Sequence, residues 1–376
     1  MSTARPRYDA AIIGAGPAGA ACAIALQRAG VERVCVLDSG RGGAFSIGET
    51  IPPDTHTLLD DLGLWEAFLA EDHEPCLGSC SSWGGEQLGF NDFLLNPHGP
   101  GWHLDRERFD DFLRAHAMAA GAELCDGVRF VDAESRGEGG YRLRVADEAG
   151  GTRSFAARFV VDATGRASAF ARQIGATQLP LDRLTFLYGF FDSTDAASSS
   201  RLTLLEAAEN GWWYAAALPG NRLAVAFATD AECVRELRLH DGPQWLAAAL
   251  RSRHLSSRLH GCRFEGSVIS RVAASFILSD VADAHWLAAG DAAACFDPLA
   301  AQGIYKAIAD GISAARHIAA ALDAGGALSS DFSDAARAGF NEYLENRNYF
   351  YDLEQRWPRS RFWHRRQSRT TLATVA

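Results

Sequence analysis

Apolar and polar positions follow three rhythms along this chain, and each predicts a different kind of element. Near the start, "YDAAII" (Tyr8–Ile13) is a short, nearly unbroken apolar run of the kind a buried strand carries. The turn "GAGPAG" follows, then an apolar helix predicted from Ala18 to about Arg28. "VERVCVLDSG" reads as a second buried strand ending at Asp38. In "DRERFDDFLRAHAMAAGAEL" the apolar Phe109, Phe112 and Leu113 recur at helical spacing, and Gly121 supplies a stop. "VRFVDAES", "YRLRVAD" and "TRSFAARFVVDATG" alternate in steps of two, as half-buried strands do.

Residues 76–100 are rich in Gly, Ser, Asn and Pro and predict loops and short strands. Residues 184–270 predict a β-rich stretch with Trp212, Trp213 and Tyr214 near its middle. "HWLAAGDAA" returns to a buried strand with a glycine turn, and helices dominate from about Ala301.

Composition narrows the function classes. A chain of 376 residues, 48% hydrophobic, can form two or three domains or one large α/β unit with an insertion. A net charge of −11 argues against a nucleic-acid partner, which calls for a basic face. No apolar run reaches the roughly 18 residues of a membrane span, and the first residues lack a signal-peptide pattern, so a cytoplasmic protein is expected. The eight cysteines are scattered, Cys76 and Cys80 being the only close pair. Buried thiols are therefore expected, and no metal site.

Gly14, Gly16 and Gly19 form GxGxxG between a buried strand and a helix that opens with Pro17 and Ala18. The first glycine permits the tight turn, the second a close pyrophosphate, and the third close helix packing. The helix N-terminus attracts the phosphate charge. Asp38 stands 24 residues after Gly14, where an acid can accept from a ribose hydroxyl. This pattern predicts a dinucleotide.

Two further strand-then-glycine turns, "VVDATG" (Val160–Gly165) and "LAAGDAAACFDPLAAQG" (Leu287–Gly303), complete a three-part arrangement that resembles FAD-dependent monooxygenases of the aromatic hydroxylase type. The resemblance implies an α/β fold: a three-layer, Rossmann-like FAD-binding domain, an inserted β-rich substrate domain and C-terminal helices. It implies the FAD-binding domain at 1–75, 101–175 and 271–325, and the β-rich domain at 76–100 and 176–270. A helical segment at 326–366 and a disordered tail at 367–376 follow. It further implies that Asp162, Gly290 and Asp291 reach the cofactor, and that Pro298, Gln302, Gly303 and Ile304 lie against the flavin ring. Arg106 corresponds to an arginine that reaches the FAD phosphates.

"IGETIPP" (Ile47–Pro53) resembles a signature of flavin-dependent halogenases and their relatives, bringing Glu49 and Thr50 to the cofactor. Halogenases of this type use a lysine before the long FAD-contacting helix and carry W-x-W-x-I-P. Here "CLGSCSSWGGEQLGF" has no lysine, "YAAALP" (Tyr214–Pro219) replaces the tryptophans, and Lys306 is the only lysine in the chain. Its position one turn into a helix predicts a structural role.

"GETIPP", "SSWGGEQL", "NPHGPGWHLDRERFD" and "EQRWPRSRFWHRR" resemble halogenase-like flavoproteins that modify a tryptophan during tryptophylquinone maturation. That resemblance implies oxygen insertion into an aromatic, indole-type ring through a flavin C4a-hydroperoxide. O2 is then the co-substrate, and the reductant is NAD(P)H or a separate flavin reductase. The substrate is a small aromatic molecule or a residue of a partner protein or peptide. A flavin-bearing assembly factor for a quinone-cofactor enzyme is the alternative, and halogenation is disfavoured. The oligomeric state stays open.

Glu49, His103 and Tyr214 are the catalytic candidates, and Trp83, Trp102, Trp212 and Trp213 the expected aromatic wall for the substrate. His98 is a weaker acid–base candidate. "RWPRSRFWHRR" (Arg356–Arg366) predicts a helix whose aromatics pack on the FAD domain and whose arginines are solvated, a docking patch for an acidic partner or a membrane surface being the alternative.

Overall fold

The structure, a computed structural model, describes residues 8–40, 48–193 and 200–368. Strand β1 (Tyr8–Ile13), helix α1 (Pro17–Arg28) and strand β2 (Val34–Leu37) open it. The hairpin β3 (Gly78–Ser82) and β4 (Gly89–Asp92) precedes helix α2 (Arg106–Ala119) and the long strand β5 (Thr152–Asp162). Then come β6 (Leu184–Ser193), β7 (Leu202–Ala208), β8 (Gly211–Leu218), β9 (Arg222–Asp230) and the short β10 (Ile269–Val272). Strand β11 (Trp286–Ala288) and helices α3 (Gly303–Asp323), α4 (Asp331–Leu353) and α5 (Arg361–Gln367) complete it.

In the first sheet, β11, β5, β1 and β2 run side by side, all parallel. Ile13 is in register with Asp162 and Leu37, and Asp162 with Ala288. The three glycine turns, far apart in sequence, therefore leave the sheet at one level, along its carboxyl edge. Ligands of open α/β sheets bind at such an edge.

Helices α1 and α3 cover one face of this sheet, and the contact between them is unusually close. A Cβ on Gly311 would sink into the Ala18 carbonyl oxygen, and another on Gly14 (φ +106°) into that of Ala163. Both positions need glycine, the first for the space and the second for the backbone angle as well.

The second sheet runs β6, β9, β8, β7, β3 and β4, with β10 on the outer edge of β6. Side chains alternate between its faces. On β8, Trp213 and Ala215 point into a core with Trp245, Leu255 and Leu259. Trp212, Tyr214 and Ala216 point the other way, into a core with Phe186, Tyr188, Tyr351, Phe362 and Trp363. Among the described residues, no helix is long and apolar enough to cross a membrane.

The C-terminal segment departs from the expectation. Its aromatics pack on the β-rich sheet, Trp363 donating to the Ala208 carbonyl at 2.9 Å. Arg366 is buried, its charge held by Asp230 at 2.7 Å and its guanidinium 3.7 Å from the Phe362 ring centre. An apolar helix face and a matched ion pair together close the sheet, an outcome that arginine-rich composition alone does not reveal. Gln367, expected in a disordered tail, ends α5; residues 369–376 lie outside the described residues.

Gly311→Ala forces α1 and α3 apart and should cost about 1–3 kcal/mol of stability, as overpacking does. Denaturant unfolding measures it; a variant as stable as wild type would mean that the helices do not meet at Gly311.

Candidate active site

The carboxyl edge of the first sheet and the inner face of the second enclose a cavity of about 400 Å³. Its floor is the α1 turn, where Gly16, Pro17 and Ala18 line it. Helix α1 begins at Pro17, so its unpaired N–H groups and positive dipole end face the space. Gly14 and Gly19 shape the turn from behind. Asp38 ends the β2 turn, accepting the Ala15 N–H at 3.1 Å and pairing with Arg114 at 2.9 Å. Those contacts fix the carboxylate beside the glycine turn.

The second turn is held by a buried acid. Asp162 accepts from the Thr164 N–H and hydroxyl and from the Ala171 N–H. Its carboxylate is thus spent inside the protein and does not line the cavity, contrary to the expected cofactor contact. Ala163, Gly165 and Arg166 line it instead.

Asp291, Phe296, Asp297, Pro298, Ala301, Gly303 and Ile304 form a third side. Gly290 sets the turn from behind, and Gln302, expected against the flavin ring, is exposed at the start of α3 and does not line the cavity. Lys306 also lines the cavity, but its ammonium donates to the Gly290 carbonyl at 2.9 Å and to Asp310 at 2.7 Å. It clamps α3 to the glycine turn, the structural role expected of it. Arg106 donates to the Gly48 carbonyl at 3.0 Å and pairs with Asp110 one turn along α2.

The far wall brings Glu49, Thr50, Phe186, Tyr188 and Tyr214 together. Glu49 is buried, and its Oε1 has no hydrogen-bond partner. Burial pushes its carboxyl up to about 7, against the pull of the Arg106 charge. The Tyr214 and Thr50 hydroxyls meet at 2.8 Å. Burial, with Glu49 alongside, holds the Tyr188 and Tyr214 phenols well above their ordinary range.

Several predicted residues lie elsewhere. His103 is fully buried, bonds Thr203 at 3.0 Å through Nε2, and is pushed down to about 3 by desolvation. It is neutral and outside the cavity, so it is no acid–base group there. His98 sits on the surface side, 3.9 Å from Asp54. Trp102 packs edge-on against Phe68 and Trp65 in the first core. Trp213 faces away because side chains alternate along β8. Trp212 faces the right way but is covered by Tyr351, to whose hydroxyl it donates at 3.1 Å. Trp83 donates to the Phe350 carbonyl and stands edge-on to Trp363. None of these four tryptophans lines the cavity.

The aromatic wall is made instead by Phe186 and Tyr188, two apart on β6, and by Phe296. Sequence reading missed them. The i, i+2 spacing within "LTFLYGFF" was the available signal, since both must share a sheet face. Arg166, Arg271 and Asp297 were also missed.

Comparison with known proteins accounts for this geometry. The chain matches the FAD binding domain family over residues 7–346 and belongs to that family of FAD-dependent oxidoreductases. LodB of Marinomonas mediterranea, which bears the name of an FAD-dependent oxidoreductase, is 27% identical over 97% of this chain and 98% of its own. Halogenases are further relatives, among them the flavin-dependent halogenase armH3 of Armillaria mellea, 28% identical over 84% of this chain and 68% of its own. The myxobacterial chondrochloren halogenase CndH shares the fold with a TM-score of 0.87, at 23% identity over 96% of this chain and 85% of that one. So does QhpG, a peptidyl tryptophan dihydroxylase essential for tryptophylquinone cofactor biogenesis (TM-score 0.73, 23% identity, 97% and 79% covered).

The residues present fit FAD. Beside Gly16 a Cβ would meet nothing within 4 Å, which leaves the helix N-terminus open to a pyrophosphate. Gly16, Pro17, Ala18, Arg106 and Asp291 can hold the phosphates and ribityl chain, and Pro298, Gly303 and Ile304 the ring.

Glu49 sets a pH dependence whose sign is fixed. The folded carboxyl keeps its proton up to about pH 7, whereas an ordinary one loses it near 4.5. Between those values folding takes up a proton, so this group's stability contribution falls as pH rises. Glu49→Gln removes that loss. Its unfolding midpoint relative to wild type should therefore rise between about pH 5 and pH 8, and a constant difference would place the titration elsewhere.

Proposed function

We propose that this protein is an FAD-dependent monooxygenase that hydroxylates an aromatic, indole-type ring, either of a small molecule or of a residue in a partner protein or peptide. The observation that carries this reading is the far wall: a buried, near-neutral carboxyl beside two tyrosines and a phenylalanine, facing the turns that fit the flavin. FAD, when bound and reduced by NAD(P)H or by a separate flavin reductase, supplies the electrons and activates O2.

The chain's own residues supply the rest. Phe186, Tyr188 and Phe296 give an apolar surface on which an aromatic ring can stack, and they exclude water. Glu49, with a free oxygen and a carboxyl poised near neutrality, takes the proton that the ring sheds as it regains aromaticity. Thr50 fixes the Tyr214 hydroxyl next to that carboxyl. Overall, one oxygen atom enters the ring and the other leaves as water, with two electrons from the reductant.

Halogenation is the second reading, favoured by the halogenase relatives. Against it stands Lys306, the single lysine, whose ammonium is already bound to Asp310 and Gly290. An assembly factor that mainly binds an immature partner is the third, and the tryptophan dihydroxylase likeness supports a partner polypeptide as substrate in either case.

The test is turnover of FAD-loaded protein with a flavin reductase, O2, chloride and bromide, on indole and on tryptophan-containing peptides. Mass spectrometry should find products heavier by one oxygen. Halogenated products would replace the proposal with the second reading, and tight binding without any product would favour the third. Glu49→Gln should lower product formation by about 10²-fold, the usual worth of a positioned base, with the flavin spectrum unchanged.

A further inference from the structure

Four cationic side chains line the cavity: Arg106, Arg166, Arg271 and Lys306. Three are committed. Arg106 is held by Asp110 and Gly48, and Lys306 by Asp310 and Gly290. Arg166 donates to the Ala274 carbonyl at 2.6 Å and lies over the Phe276 ring. Arg271 differs. Like Arg166 it pairs with no carboxylate among the described residues, but its one hydrogen bond runs to the carbonyl of its own neighbour Ser270, at 3.0 Å, so it is not tied to a distant segment as Arg166 is.

Its place in the sheet explains why it faces inward. Arg271 stands directly opposite Phe186 in the antiparallel β6–β10 pair. Opposed residues share a sheet face, so the guanidinium shares the aromatic wall of the cavity. The next residue, Val272, also lines the cavity yet is 65% exposed, so β10 forms the mouth. Its guanidinium is half-buried at this mouth and makes one hydrogen bond, so its other donors can meet an anion that enters. The turns that fit the cofactor phosphates belong to the other sheet, at the α1 end.

We propose that Arg271 is the anion-recognising residue of the substrate site, and that the substrate is an aromatic ring carrying a nearby carboxylate. The planar fork of arginine matches a carboxylate with two parallel hydrogen bonds, while Phe186 and Tyr188 hold the ring. This rests on the aromatic-substrate reading above and adds its polar handle. The carboxylate can belong to a free aromatic acid or to an acidic residue beside an aromatic one in a peptide.

The experiment titrates oxidised, FAD-loaded protein with indole-3-acetate and with indole, reading the perturbation of the flavin absorption bands. Two blocked tripeptides, Gly-Trp-Asp and Gly-Trp-Asn, form the second arm. Wild type should bind indole-3-acetate more tightly than indole. Arg271→Ala should weaken indole-3-acetate by about 10- to 100-fold, the worth of a charge-assisted pair, and leave indole and FAD binding unchanged. Arg271→Lys should keep part of the preference. A preference for the Asp over the Asn peptide that vanishes in Arg271→Ala assigns the carboxylate to a peptide; the same loss with indole-3-acetate alone assigns it to a small acid.

No preference for the carboxylate in either pair of probes, a preference that survives in Arg271→Ala, or no binding of any probe overturns the proposal. Because the readout is binding without turnover, the two ideas fail separately. Arg271-dependent binding with no oxygenated product refutes oxygenation only. Oxygenation with no carboxylate preference refutes the role of Arg271 only.

Discussion

Parallel register between β1, β5 and β11 is the constraint on which the rest depends. Ile13, Asp162 and Ala288 stand level in the sheet, so the turns that follow them open at one edge. Backbone hydrogen bonds extend that alignment into the turns themselves, Ala163 donating to the Ile13 carbonyl and Ala289 to that of Asp162. A slip of one residue would turn each strand over and scatter the turns. The same edge is then covered by α3, which can come close because Gly311 has no side chain where it meets α1. One sheet thus brings backbone and charge to the cavity, and the other most of a wall of rings.

The cofactor half of the site was legible because its signals are local. Gly16, Pro17 and Ala18 line the cavity where the glycine motif places them, and Arg106, Asp291, Pro298, Gly303 and Ile304 join them. Even here the carboxylate of Asp162 was misread, since nothing local says that an acid will be consumed by its own turn. The opposite wall depends on partners far apart in the chain. Trp212 and Trp213 look equivalent as neighbours, yet alternation along β8 sends one away from the site, and Tyr351 covers the other. His103 looks like a catalytic histidine until burial makes it neutral. Phe186 and Arg271 meet only through the pairing of β6 with β10, which no spacing rule announces.

Polar groups in the two halves are satisfied differently. On the cofactor side almost every charge has a fixed partner: Asp38 with Arg114, Arg106 with Asp110, Lys306 with Asp310. That rigidity pre-organises the backbone around a large ligand, and it lowers the ordering cost of binding. Facing the second sheet, the Glu49 Oε1 and the Arg271 guanidinium are left without such partners. For the buried Glu49 oxygen the missing hydrogen bond is costly, and both groups face the space in which the proposed chemistry would take place.

The C-terminal helices have a consequence for the order in which the site is made. Tyr351 of α4 donates to Asp297, a cavity residue, at 2.7 Å and accepts from Trp212 of the second sheet. Arg347 supports the same carboxylate from 3.8 Å and pairs with Asp182. One buried tyrosine therefore joins the two walls. During synthesis the amino-terminal segments emerge and fold first. The glycine turns, α1 and every strand of the β-rich sheet precede residue 347 in the chain. The cavity wall at Asp297 is thus fastened to the second sheet by a helix that follows both in sequence, and a chain cut before α4 would lack that tie.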